Sequence, residues 1–97
     1  MATFVALINF TEKGLHEIKD TVKRAEAFKE MAKKHGVTVK EILWTQGAYD
    51  IVTIIEAPDD AAASAVTLSV SKLGNLRGQT LRAFSAAEMQ NIVDAVG

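Results

Sequence analysis

Apolar residues recur along this chain at two different spacings, and the spacing predicts which segments are strands and which are helices. Residues 3–10 form a short apolar run rich in β-branched and aromatic side chains, which predicts a first strand. Three further segments have the same character and predict three more strands: residues 37–46, 49–57 and 75–84. Because residues 3–10 are apolar on both alternations, we expect both faces of the first strand to be covered.

Between residues 11 and 35 the apolar side chains recur every three or four positions, and charged residues fill the opposite side, as in an amphipathic helix. Thr11 and Asp20 are residue types that cap helix starts. We therefore expect a short first turn followed by a main helix from about Thr21. Gly36 is placed to end that helix.

Two further helices are predicted after the third strand. The alanine-rich segment begins with an acidic first turn at Asp59 or Asp60 and ends at Gly74. Ser85 is placed to cap a last helix, and Glu88 stands at the spacing of a capping box. The predicted element order is therefore βαββαβ followed by a C-terminal helix.

This order is typical of the ferredoxin-like α+β fold, in which two helices cover one face of a four-stranded antiparallel sheet. A lone proline, Pro58, and the lack of a Gly/Ser-rich linker predict a single domain over residues 1–97. The short last helix cannot cover the whole of the other, apolar sheet face. We therefore predict a homodimer or higher oligomer whose sheets pack face to face, a dimeric α/β barrel across two chains.

Composition narrows the classes of function. The formal net charge is -1, from 11 Lys+Arg against 12 Asp+Glu, which argues against a basic nucleic-acid-binding surface. Residues 49–57 also lack the repeated aromatics on which RNA-recognition sheets stack bases. The absence of cysteine excludes disulfides and thiolate chemistry. No signal peptide and no apolar run near the roughly 20 residues of a membrane span are found, so we predict a cytoplasmic protein without nucleic-acid or membrane partners.

Two segments, GAYDIVTIIEAPDD and LGNLRGQTLRAFS, resemble the GYD-domain family, which is named for a Gly-x-Tyr-Asp signature. Gly47, Tyr49 and Asp50 match that signature, and the resemblance continues in INFTEKG, Arg24, Gly36 and Pro58. The resemblance implies the dimeric α/β-barrel superfamily, whose relatives include small oxygenases, isomerases and the effector-binding modules of leucine-responsive regulators. It implies the fold and leaves the activity open.

Tyr49 and Asp50, an aromatic hydroxyl next to a carboxylate, are candidates for a catalytic pair. Neighbours on a strand point to opposite faces, so Tyr49 and Asp50 do not easily act on one substrate atom. A regular strand from Tyr49 would place it on the face of Ile51. Asp50 fits better as an acceptor of backbone N–H groups that holds the hairpin, and Gly47 fits a tight turn across residues 47–48.

The candidate ligand-binding residues share aromatic or polar side chains near the predicted hairpin and fourth strand: Trp44, Tyr49, Arg77, Gln79 and Arg82. An aromatic can wall a cavity, and an arginine can hold a carboxylate or phosphate with two hydrogen bonds. The alternatives are packing for Trp44 and intersubunit or edge-strand charge pairs for the arginines.

Glu12, His16 and Asp20 stand four residues apart, which would align them on one helix face as metal ligands, although a solvated charged face explains the spacing better. We predict no metal site and no cofactor. The leading hypothesis is a regulatory or sensory homo-oligomer that binds a small molecule, either between sheet and helices or at the subunit interface. The alternatives are a cofactor-independent oxygenase or isomerase, with Tyr49 or His16 as acid/base and Asp50 orienting, and an assembly protein without a ligand.

Overall fold

The computed structural model describes all 97 residues. Its elements, in chain order, are β1 (Ala2–Phe10), α1 (Glu12–His16), a 3-10 turn (Ile18–Asp20), α2 (Thr21–Lys34), β2 (Thr38–Trp44), β3 (Ile51–Ala57), α3 (Asp60–Ser71), β4 (Leu76–Ala83) and α4 (Ala86–Asp94). The four strands form one antiparallel sheet in the order β2-β3-β1-β4. The predicted ferredoxin-like α+β architecture is confirmed.

The helix starts follow the capping chemistry expected from the sequence. Thr11 Oγ1 accepts the backbone N–H of Gly14 at 3.1 Å, and Asp59 Oδ1 accepts that of Ala62 at 2.8 Å. Ser85 and Glu88 form both hydrogen bonds of a capping box. Asp20 makes no side-chain cap hydrogen bond, because the 3-10 turn leads directly into α2.

One face of the sheet packs against α2 and α3 and forms the core. Phe4, Ile55 and Ala57 from the strands meet small and branched residues of the helices and of the turn before β2: Ala32, Val37, Ala63 and Val66. All of these side chains are buried. Burial of this apolar surface is the main force that holds the helices on the sheet.

The opposite sheet face is covered by no other element of the chain, and we call it the open face. The strand register places six apolar side chains there: Val5, Leu7, Leu43, Val52, Ile54 and Leu81. All six remain at least partly accessible, and Leu43 and Leu81 are 51% and 43% exposed. The prediction that β1 is covered on both faces is therefore not met within one chain.

The connection between β2 and β3 is longer than the tight turn across residues 47–48 that the sequence predicted. The strands pair only as far as Trp44 and Ile51, so residues 45–50 form a loop. Thr45 holds that loop, since its N–H donates to Asp50 O at 2.8 Å and its hydroxyl donates to Tyr49 O at 2.5 Å. A register shift between Val39 and Glu41 marks a β-bulge in β2.

The last helix, α4, contributes no residue to the hydrophobic core. Its apolar side chains remain accessible, with Met89 48%, Val93 48% and Ile92 39% exposed. An ion pair between Glu88 Oε2 and Arg82 Nη2 at 3.4 Å connects α4 to β4. None of the helices of this chain is both long and apolar enough to cross a membrane.

We expect α4 to lose order under acid conditions. The Ser85 backbone N–H, supported by the Ser85 hydroxyl and Arg82, lowers the pKa of Glu88 below its usual range. A lowered folded-state pKa means that the stabilisation is present above the unfolded value of about 4.3 and is lost as the pH falls through the folded value. The amide signals of α4 in NMR spectra recorded from neutral to acid pH will report this loss.

The variant Glu88→Gln removes the titrating group while keeping an amide oxygen for the cap. Its α4 signals will therefore lack that acid-dependent step. Glu30→Gln, on the exposed side of α2, serves as the matched control and will keep it. An unchanged titration in Glu88→Gln would contradict the assignment.

Candidate functional site

A cavity with a volume of about 260 Å³ lies between the helix-covered face of the sheet and helices α2 and α3. Of its 17 lining residues 12 are hydrophobic, so an apolar occupant fits its walls. The apolar wall residues come from the sheet and from both covering helices: Ile8, Phe10, Ile42, Trp44, Ile51 and Leu76 from the strands, Phe28 and Met31 from α2, and Val70 and Leu73 from α3 and the turn after it.

Trp44 closes one side of the cavity at the end of β2. Its indole N–H donates to Thr21 Oγ1 at 3.0 Å, which ties β2 to the first residue of α2. Because Thr21 begins the helix only after the 3-10 turn, the break between α1 and α2 sets the position of this contact. Trp44 is 42% exposed and borders the cavity. We therefore expect its fluorescence to change when a molecule fills the cavity.

Arg24 is the charged member of the lining, and its charge is already compensated. Its Nη2 donates to Glu17 Oε2 at 2.8 Å, and its Nη1 donates to the Glu17 carbonyl at 3.3 Å. The guanidinium therefore has an anionic partner within the protein. No other charged residue lines the cavity.

Asn75 lines the cavity, but its Oδ1 has no accessible surface there and no hydrogen-bond partner within the protein. Its main chain is fixed, since its carbonyl accepts the N–H of Thr11 at 3.1 Å. Gly14 packs so closely on that carbonyl that a Cβ at position 14 would lie 2.2 Å from the oxygen. Asn75 therefore presents its side chain from a rigid junction between α1 and β4.

The loop of residues 45–50 lies at the same end of the sheet. Gly47 has a φ of 112°, a backbone conformation that favours glycine. Asp50 Oδ2 accepts the N–H of Phe10 at 2.9 Å, and the Asp50 N–H donates to Ile8 O at 2.8 Å. Asp50 thus anchors the loop to the end of β1, and the expected bond to the hairpin's own backbone is replaced by one to a distant strand.

Comparison with known proteins gives the family. The GYD domain family matches residues 4–93 of this chain. The chain belongs to the GYD domain family. A GYD-type relative from Thermus thermophilus is named "Glutamine synthetase and cystathionine beta-lyase binding protein". It is 29% identical over 90 residues, which cover 92% of this chain and 95% of the relative.

The two polar side chains of the GYD signature, Tyr49 and Asp50, have different partners in this chain. Tyr49 precedes β3 rather than belonging to it, so strand alternation does not set its direction. Its hydroxyl lies 3.3 Å from Gln79 Nε2, on the side of the open face, whereas Ile51 is buried on the helix side. The expectation that Tyr49 shares the face of Ile51 was wrong, because the loop turns the chain between them.

The five residues predicted to bind a ligand are divided among three places. Trp44 lines the cavity. Tyr49 and Gln79 contact each other at the open face, and the register puts Arg77 on that face beside Asn9. Arg82 lies at the far end of β4, where its guanidinium stands 4.6 Å from the centre of the Phe84 ring and pairs with Glu88.

The enzyme hypothesis assigned Tyr49 or His16 as the acid/base, and a cavity shared by these side chains would favour it. Neither side chain lines the main cavity, the smaller pocket between α3 and β4, or the one between α2 and β2. The proposed alignment of Glu12, His16 and Asp20 also fails, because the helix breaks at Glu17 and the three residues occupy two separate elements.

The sequence analysis missed all five polar residues of the cavity lining: Thr21, Arg24, Thr53, Ser69 and Asn75. Thr21 was interpreted as a helix start, and Arg24 only as part of a resemblance. The sequence gave one hint for Asn75, because it is a polar residue between the helix-ending Gly74 and the start of a strand. The pattern alone gives no sign that its oxygen lacks a partner.

Proposed function

We propose that this GYD-domain protein is a homodimeric regulatory protein that binds a small molecule in the cavity between the sheet and its helices. The observation that carries the proposal is the apolar cavity of about 260 Å³, walled by Trp44, Phe28 and Met31. An apolar molecule that fits this space would gain dispersion contacts with the lining side chains, which favours its binding. The cavity contains no acid/base group beside a nucleophile, which favours binding over catalysis.

A protein partner is the second part of the proposal. The relative's name describes a protein that binds two enzymes, and the similarity covers nearly the full length of both chains. We propose that this chain also acts by binding another protein. The exposed apolar residues of α4, including Met89 and Val93, give it a surface on which a partner could dock.

The homodimer is supported by surface area. The chain exposes 6418 Å², whereas a compact monomer of 10.5 kDa is expected to expose about 5,400 Å². The excess of about 1,000 Å² compares with the roughly 800 Å² that one partner buries in a stable interface. The radius of gyration, 14.6 Å against about 12.5 Å for a compact chain of this length, points the same way. The open face and the projecting α4 both contribute to this excess.

The cavity proposal is tested by filling the cavity. We expect Ala25→Leu, which adds a side chain inside the cavity, to weaken small-molecule binding roughly tenfold or more. Compounds carried by the purified protein are released with organic solvent and identified by mass spectrometry, and binding is followed by the emission of Trp44, the only tryptophan. Ala61→Leu, on the exposed side of α3, is the matched control and should bind as the original protein does.

Equal binding by all three proteins would contradict a site in this cavity. So would the absence of any carried compound together with an unchanged Trp44 emission across a panel of small apolar compounds.

A further inference from the structure

We propose that two charges at opposite edges of the open face fix how two copies of this chain pack, with Glu41 on β2 of one chain facing Arg77 of the partner subunit on β4. This inference rests on the homodimer of the proposed function. It adds which strands meet across the interface and which side chains let one copy recognise another.

Glu41 and Arg77 are charged side chains of the open face that have no ion-pair partner in their own chain. Glu41 lies opposite Ile54 in the register, so it shares the open face with Arg77. Both residues are exposed, and neither takes part in any of the five ion pairs of the chain. Glu56, on the same face, is already paired with Lys40 at 3.2 Å. One carboxylate and one guanidinium therefore remain free for a partner.

These two charges cannot meet within one chain. The sheet order β2-β3-β1-β4 puts them on opposite edge strands. Neighbouring strands lie about 4.8 Å apart, so three intervals separate the two edges by about 14 Å. An ion pair needs the nitrogen and the oxygen within about 4 Å. A second copy of the chain is needed to bring the opposite charges together.

Charge decides between two ways of stacking the open faces. A two-fold axis that runs along the strands lays β2 of one chain over β4 of the other, so each Glu41 lies at the edge that carries the partner's Arg77. This contact then occurs twice in the dimer. An axis across the strands stacks β2 on β2 and brings the two Glu41 carboxylates together over Leu43, where like charges repel. The first arrangement is therefore favoured.

The favoured arrangement also keeps the apolar centre of the open face together. It lays β3 over the partner's β1, because the two strands exchange places across such an axis. Val52 and Ile54 are level with Leu7 and Val5 in the register, so each meets an apolar side chain of the other copy. The interface then has an apolar centre and charged edges, as stable interfaces commonly do.

The attraction at the edges acts over a short distance and depends on salt. Glu41 is level with Leu81 across the register, and Arg77 stands four residues further along β4, about 13 Å away. Both side chains extend several ångströms from the backbone, which brings the charges within the Debye length of about 10 Å at 0.1 M salt. Electrostatic complementarity of this kind selects the correct partner and orientation.

Charge reversal at both positions tests the pair. The dissociation constant of the dimer is measured by analytical ultracentrifugation for Glu41→Arg, Arg77→Glu and the variant with both changes. We expect each single reversal at low salt to raise Kd about tenfold, because two attractive contacts become repulsive, and the double variant to return to within about threefold of the original. High salt should reduce these differences. Glu30→Arg, on the exposed side of α2, makes the same change of charge and should leave Kd unchanged.

The outcomes separate this inference from the proposed homodimer. If the original protein is dimeric but single reversals leave Kd unchanged, or the double variant shows the two single effects added together, Glu41 and Arg77 do not face each other and the inference is wrong. If the original protein has the mass of one chain at every concentration, the proposed homodimer fails and the inference fails with it.

Discussion

Replacing Val5 by glutamate is expected to separate the proposed dimer into single chains. Val5 lies at the centre of the open face, where its neighbours on β3 and β4 are Ile54 and Leu81. A two-fold interface would bury the new carboxylate twice, and an unpaired buried charge costs several kcal/mol. We expect the dissociation constant to rise by about a thousandfold or more.

The measurement is molar mass by light scattering during size-exclusion chromatography. At concentrations where the original protein has twice the chain mass of 10.5 kDa, Val5→Glu should have the mass of one chain. Its helical content by circular dichroism should change little, because Val5 points away from the core. Leu68→Glu, at a position 68% exposed on α3, introduces the same charge away from the open face and should remain dimeric.

An original protein with the mass of one chain at every concentration would remove the dimer from the proposal. A dimeric Val5→Glu would move the interface away from the open face. In that case the apolar stripe of α4, with Met89, Ile92 and Val93, is the next surface to test in the same way.

A large loss of stability is expected from Gly14→Ala. Helix propensity alone predicts a gain of up to about 1 kcal/mol for this change within a helix. The structure predicts the opposite sign, because the added Cβ would lie 2.2 Å from the Asn75 carbonyl oxygen and 3.1 Å from its carbon. Those atoms belong to the backbone, so α1 must move away from β4.

That movement would also strain two hydrogen bonds of Thr11, one from its N–H to Asn75 O at 3.1 Å and one from its hydroxyl to Gly74 O at 2.6 Å. We expect a loss of about 3 kcal/mol in the free energy of unfolding, which lowers Tm by more than about 10 °C. Urea denaturation and thermal scans measure these quantities.

Gly97→Ala is the matched control, since a Cβ at position 97 meets no atom within 4 Å. It should change the free energy of unfolding by less than about 0.5 kcal/mol. A Gly14→Ala variant as stable as this control would mean that α1 does not pack on Asn75 as described.

Local sequence patterns determined the elements of this protein and their order. Apolar residues that recur every two positions predict a strand, and a period of 3.6 residues predicts a helix. A helix start is predicted by a side chain that can accept the backbone N–H two or three residues ahead. Thr11, Asp59 and the Ser85–Glu88 pair act over such short distances. The antiparallel ferredoxin-like sheet then follows from the element order.

Prediction failed where the chain leaves its regular period. Tyr49 was placed by strand alternation, but residues 45–50 form a loop and β3 begins at Ile51. Asp50 was expected to bond within the hairpin, and its carboxylate instead accepts the N–H of Phe10 on β1. Contacts across a sheet depend on register, which a loop of unknown length does not reveal.

In the candidate site, too, local sequence patterns determined some features and the packing of distant elements determined the others. The sequence alone identified the fold, the capping residues, an unmatched apolar sheet face and Trp44 as a cavity-lining candidate. Only the tertiary structure showed that Tyr49, Gln79 and Arg77 lie on the open face while Trp44 lies under the helices. Only the tertiary structure brought Gly14 against Asn75 and left Asn75 Oδ1 buried without a partner. The reason is physical, since periodicity fixes which face a residue takes within its own element, whereas the packing of distant elements decides what that residue meets there.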